Sequence, residues 1–173
     1  MSELSDKLNG HSGNDELRTP GYLWDWLNRR FRFNYDAAAS HENRRCDMWS
    51  TRDGTFVLTP DLWGRTGTEF SKGSDADGLT FMWANRRVFL NPPYSRPLLG
   101  QFIEKAIAER DNAEIAVMLV KCDTSTANYR MLEANAHIEH LRRVRYEDEN
   151  GKLLPAATFA SCIAIIRPTE PRR

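Results

Sequence analysis

Cysteine is scarce and badly placed for cross-linking. Cys46, Cys122 and Cys162 are far apart, odd in number and free of any CxxC pairing, which suggests neither a disulfide framework nor a thiolate zinc site. A reducing, cytoplasmic setting is expected. Long apolar runs are missing too. Nothing approaches the roughly 20 residues that cross a bilayer, and the polar N-terminus has no signal-peptide core, so neither secretion nor a membrane partner is expected. An excess of either charge is absent, since 24 Lys and Arg face 24 Asp and Glu and the formal net charge is zero. The global field cannot draw this chain onto a polyanion, and any nucleic-acid contact needs local patches. The four histidines, His11, His41, His137 and His140, lack the HExxH spacing of a zinc site, and neither GxSxG nor GxxxxGKS/T occurs. No metal site is expected, and hydrolase, nucleotidase and thiol-redox chemistry are left without support.

What is present suits one globular domain: 173 residues, 40% of them hydrophobic. Residues 1–16 are polar and aperiodic and read as a mobile tail, leaving 17–173 as the single folded domain. Thr19 before Pro20 offers a cap and a first helical turn, and Leu23, Trp26 and Leu27 recur at helical spacing toward Arg30. Phe31, Phe33 and Tyr35 alternate with polar residues as in a strand that ends at Asp36, followed by a sharp turn and a candidate helix at Ala37, Ala38, Ala39 and Ser40. Residues 41–84 read as a long functional loop region with two short apolar stretches, Phe56 to Leu58 and Leu79 to Trp83.

Regular patterning returns at Arg87 to Leu90, a strand, and at Leu98 to Arg110, a helix with one apolar face. Ile115 to Val120 is a continuous apolar run, the mark of a strand covered on both faces. Asp123 and Thr124 are candidate caps for a helix reaching Asn135. His140 to Tyr146 and Thr158 to Ile166 read as a closing antiparallel hairpin. Strands alternating with helices give an α/β fold, with ligands expected at the carboxyl ends of its parallel strands.

The apolar strand Arg87 to Leu90 runs directly into Asn91-Pro92-Pro93-Tyr94. Two prolines cannot continue a ladder, because they lack N–H groups and hold φ near −65°, so their carbonyls stay free. Asn91 then presents a side-chain amide beside rigid acceptors, and Tyr94 adds a flat ring. The set suits a planar group bearing an NH2. An amine conjugated to a ring is a poor nucleophile, and accepting both its hydrogens, on the Asn91 side-chain oxygen and the Pro92 carbonyl, favours a more tetrahedral and reactive nitrogen. A plain Pro-Pro turn is the blander alternative.

Asn91 to Tyr94 resembles the Asp/Asn/Ser-Pro-Pro-aromatic motif of the amino-methyltransferases. The resemblance extends, in the small phage-type DNA N6-adenine methyltransferases, to Thr19-Pro20, Asp36 to Ala39, Asp77 to Leu79 ahead of Trp83, Val88 to Ser95, and a closing strand ending in Arg167-Pro168. It implies a Rossmann-like methyltransferase sheet, mostly parallel with a C-terminal antiparallel hairpin. It implies S-adenosyl-L-methionine as cofactor and double-stranded DNA as partner, with Asn91, Pro92, Pro93 and Tyr94 as the catalytic motif acting on a flipped adenine. Asp36, Ala37 and Ala38 stand where the family's first strand ends in an acidic residue and a cofactor turn, with alanines in place of the more general glycines. Thr19 and Pro20 resemble the segment over the methionine end, Asp61 is the candidate for the ribose, and Asp77 for the cofactor's adenine.

The resemblance hints at a short target site such as GATC and, if the chain is phage-encoded, at a bacterial host cytoplasm; residues 52–76 and the hairpin bearing Arg142, Arg143 and Arg145 are the candidates for reading DNA. A palindromic site would suit a homodimer. Two rivals stay open at this point. The motif serves other planar amines, such as a protein glutamine, an RNA guanine or cytosine N4, and the fold also suits a catalytically silent DNA-binding relative.

Overall fold

A computed structural model describes residues 17–40, 42–50, 56–58, 78–95 and 97–169. The mobile tail expected at 1–16 lies outside them. The described elements are α1 (Gly21–Phe31), β1 (Tyr35–Asp36), β2 (Met48–Ser50), β3 (Phe56–Leu58), β4 (Arg87–Leu90), α2 (Leu98–Ala108), β5 (Ile115–Lys121), α3 (Ala127–Asn135), β6 (His137–His140) and β7 (Ser161–Ile166). The strands form one sheet in the order β3-β2-β1-β4-β5-β7-β6. Its middle, β2-β1-β4-β5, is parallel, and antiparallel pairs flank it at both ends, β2 with β3 and then β5 with β7 and β7 with β6.

Both faces of the sheet are covered. Val88, Leu90, Ala116, Met118, Val120 and Ala164 point toward α2 and α3, into one core with Phe102, Ile103, Tyr129 and Leu132. Phe89, Val117, Leu119, Ile163 and Ile165 point the other way, toward Leu23, Leu27 and Phe31 of α1. This two-faced burial is why β5 reads as an unbroken apolar run. Each of its fully buried large side chains contributes about 1.5–3 kcal/mol relative to exposure.

Several local details differ from the sequence reading. Helix α1 starts at Gly21, with Pro20 at its N-cap position and no side-chain cap from Thr19. Glu147 supplies the missing acceptor instead, since its Oε1 takes the Gly21 N–H at 2.8 Å. The buried stripe of α1 is Leu23, Leu27 and Phe31, while Trp26 stays 46% exposed. Phe31 closes the helix rather than opening a strand. Arg32 follows in the left-handed region at φ 52°, so β1 shrinks to Tyr35 and Asp36. The helix expected at Ala37 to Ser40 does not form. The chain turns at Ala37 and Ala38 and reaches β2, which the long-loop expectation overlooked.

Helix α3 is capped by Thr126, whose Oγ1 accepts the Tyr129 N–H at 3.2 Å, and not by Asp123 or Thr124. Asp123 instead holds Ser125, through its N–H at 3.1 Å and its hydroxyl at 2.6 Å. The closing antiparallel pair is present in a shifted form, β6 ending at His140 where a strand was expected to begin. Residues 141–146 pack without forming one of the sheet's strands, because Leu141, Val144 and Tyr146 turn inward beneath α1.

Candidate active site

Strand order reverses between β1 and β4. Chain leaving β1 goes to β2 on one side, and chain leaving β4 goes to β5 on the other, so a crevice opens at their carboxyl ends. Asp36, the last residue of β1, pairs in register with Phe89, two positions before Asn91. The topology therefore sets Asp36 beside Asn91. Thr19, Asp36, Ala38, Asn43, Arg45, Phe89 and Asn91 line one narrow cleft there, about 10 Å³ in volume, room for a single water.

Asp36 is buried and accepts two backbone N–H groups, from Arg45 at 3.1 Å and Ala38 at 3.4 Å. Burial pushes its carboxyl up to about 7, and those N–H groups and the Arg45 charge only partly offset the desolvation. Ala37 and Ala38 form the turn after it, with Ala37 N–H bonded to the Phe89 carbonyl at 3.0 Å. Small residues are needed on both sides of this turn. A Cβ on Gly78 would overlap the Ala37 carbonyl, so only glycine lets residues 78–80 close against it. Asp77, just before Gly78, lies outside the described residues, as do Asp61 and most of 52–76.

Arg45 ties the cleft to distant chain. Its Nη2 donates to the Thr19 carbonyl and lies 3.2 Å from Glu147 Oε2, while Glu147 Oε1 caps α1. Backbone bridges between Arg18 and Glu147 close the same junction. Pro20 stands at the start of α1 beside it, outside the cleft lining.

Asn91 is oriented by the Leu17 carbonyl, which accepts its Nδ2 at 3.0 Å, leaving Oδ1 on the other side of the amide with the Tyr94 hydroxyl 3.5 Å away. Pro92 is buried and Pro93 half-buried. The Tyr94 hydroxyl also lies 3.5 Å from the Leu119 carbonyl and 3.3 Å from the Tyr146 hydroxyl, which in turn meets Ser161 at 3.1 Å. These Tyr94 contacts are long for O–H···O bonds, so the ring's position rests more on packing than on its hydroxyl. Burial holds the phenol well above its ordinary pKa and hence neutral.

The Phe159 ring meets Tyr94 edge to face, and Tyr94 also borders a cavity of about 920 Å³ between α2 and α3, with Lys121 and Asp123 on its wall. The structure thus gathers Thr19, Asp36, Ala38, Asn91 and Tyr94 at one end of the sheet. It adds Asn43, Arg45, Lys121, Glu147 and Phe159. Among the described residues no cluster of three or more His, Cys, Asp or Glu is placed to hold a metal, and no helix is long and apolar enough to cross a membrane.

The family model for DNA N-6-adenine-methyltransferase (Dam) matches residues 8–173. A DNA N-6-adenine-methyltransferase of Escherichia phage T1 is 30% identical over 123 residues, covering 70% of this chain and 42% of that protein. The matched part is thus under half of the phage protein's length.

Proposed function

The chain belongs to the DNA N-6-adenine-methyltransferase (Dam) family, and from that premise we propose that it methylates the N6 amine of adenine in double-stranded DNA with S-adenosyl-L-methionine as donor. The observation that carries this reading is the convergence of Asp36 and Asn91 on one cleft at the point where strand order reverses. On a Rossmann-like sheet that point is where a cofactor and its substrate meet.

The residues there fit the methionine end of the cofactor, which carries an ammonium and a carboxylate. Asp36 answers the first charge and Arg45 the second, with Thr19, Asn43 and the Ala37-Ala38 turn completing the walls. Pro20 fixes the start of α1 above them, and Asp61 and Asp77 remain the candidates for the ribose and adenine ends. A cleft of about 10 Å³ has to part to admit the ligand. Bound S-adenosyl-L-methionine supplies a methyl group on a positively charged sulfur, an electrophile that needs no metal to activate it.

This chain's own part is to hold and polarise the amine. Leu17 pins the Asn91 amide, so Oδ1 is preorganised to accept one N6 hydrogen, and the Pro92 carbonyl accepts the other. The Tyr94 ring stacks on a base taken out of the duplex, and Pro92 and Pro93 keep the loop rigid. Asn91 is no base. The departing proton passes to water once the nitrogen has gained the methyl group and become acidic. The chemistry belongs in the cytoplasm of a bacterial host, where the DNA is.

Incubation with S-adenosyl-L-methionine labelled in its methyl group and a mixed-sequence duplex, followed by digestion to nucleosides, tests the reading. Label is expected in N6-methyldeoxyadenosine alone. Label in methylcytosine, in protein, or nowhere would overturn it.

A further inference from the structure

Lys121 is the last residue of β5, and its ammonium lies 5.0 Å from the centre of the Tyr94 ring and 4.5 Å from that of Phe159. The rings themselves are 6.2 Å apart at 67°. The cation therefore fills the corner of an edge-to-face pair, attracted by two ring faces at once. The corner borders the cavity between α2 and α3, whose wall also carries Glu104 and Asp123. The Asp123 carboxyl, kept below the usual range mainly by Ser125, also feels the Lys121 charge.

A purine stacked on Tyr94 needs the space within ~4.5 to 7 Å of the ring centre, and the Lys121 ammonium stands inside that range. Base and ammonium cannot share the corner. A base that enters from DNA brings a phosphate on either side of its sugar, and a charge-assisted bond to phosphate outweighs a contact with ring faces.

We propose that Lys121 is the residue that receives the DNA backbone at the extruded nucleotide. In the free chain its ammonium holds the aromatic corner, and on base entry it swings on its four-carbon stem to the flanking phosphate. This rests on the adenine-methyltransferase reading above. The exchange couples two events that a flipping enzyme needs together, an emptied stacking site and an anchored strand.

The full chain is assayed for duplex KM and for duplex binding as a function of salt, with S-adenosyl-L-methionine affinity by calorimetry, in wild type, Lys121→Met and Lys121→Arg. Lys121→Met keeps the apolar stem and loses the charge. It is expected to raise KM for duplex roughly tenfold and to flatten the slope of log K against log salt by about 0.9, the share of one phosphate contact. Lys121→Arg should restore both, and cofactor affinity should stay at the wild-type value in each. An unaltered salt slope in Lys121→Met overturns the proposal, including the case where flipping becomes easier, which would make Lys121 a plug only. A weakened cofactor affinity overturns it as well. A wild-type chain that methylates no DNA fails the broader reading first, and that failure is read before any variant is made.

Discussion

Asp36 carries the most consequential single-residue feature, a carboxyl raised by burial from 3.8 to about 7. The folded chain holds that proton more tightly than the unfolded chain does. The resulting stabilisation is complete below about pH 4, is lost as pH rises toward 7, and is level above, a span of roughly 4 kcal/mol. Ligand binding runs the other way. An ammonium needs the carboxylate, so below pH 7 binding must expel a proton, and S-adenosyl-L-methionine affinity should fall about tenfold per pH unit there and level off above. Asp36→Asn, neutral at every pH, should flatten the melting profile between pH 5 and 8 and weaken the cofactor at pH 8 by at least ~1.4 kcal/mol. Thermal melts and calorimetry across that range measure both. Equal wild-type affinity at pH 5.5 and 7.5 would remove Asp36 from the cofactor site. Asp36, Thr19 and Asn91 were legible in the sequence because each sits beside a local signal: a strand end, a proline, a double proline. Glu147 carried no such signal. Its partners Arg45 and Gly21 are 102 and 126 residues away, and only the fold brings them together.

At the level of elements, the short N-terminal helix depends on that distant carboxylate. Pro20 has no side-chain acceptor to offer at the cap position, so the Gly21 N–H would face the junction unpaired without Glu147. Glu147→Ala removes the cap acceptor and the half-buried ion pair with Arg45 together, each worth about 1 kcal/mol. A loss of about 2 kcal/mol is expected, a fall in Tm of roughly 4 to 8 °C for a chain this long. Glu147→Gln keeps an acceptor for Gly21 and should lie between. Denaturation of the three proteins side by side decides it, and a Glu147→Ala variant melting with wild type would mean that α1 needs no such support. Element legibility followed length. The seven residues of β5 declare themselves as an unbroken apolar run and the eleven of α2 by their helical period, whereas β1 and β2, at two and three residues, are too short for any pattern to show. Residues 141–146 misled for another reason. Val144 and Tyr146 are buried, and Leu141 half-buried, at irregular intervals under α1, and that scatter mimics the apolar content of a strand.

For the molecule as a whole, the central claim is that a seven-stranded sheet whose order reverses between β1 and β4 brings Asp36 and Asn91, the proposed cofactor anchor and amine acceptor, to one cleft. The sheet's order could not be read from the sequence, because β1 meets β4 only through a pairing such as Tyr35 with Val88, which leaves no local pattern; a C-terminal antiparallel pair was expected and is present, but its first strand is His137–His140, whose polar sequence carries no strand signal, and not 140–146. The claim separates binding from chemistry. Under the proposed function Asp36 serves the cofactor and Asn91 serves the base, though both line the same walls. Asn91→Ala keeps Asp36, Arg45 and Thr19 in place and removes only the preorganised acceptor for the N6 amine, a loss that in a dry site costs about 10²-fold or more in rate. The decisive measurement is the single-turnover rate of methyl transfer to duplex DNA by Asn91→Ala, taken beside its calorimetric affinity for S-adenosyl-L-methionine. A rate reduced by about 10²-fold or more is expected, with cofactor affinity within about threefold of wild type. Transfer at the wild-type rate would contradict the central claim.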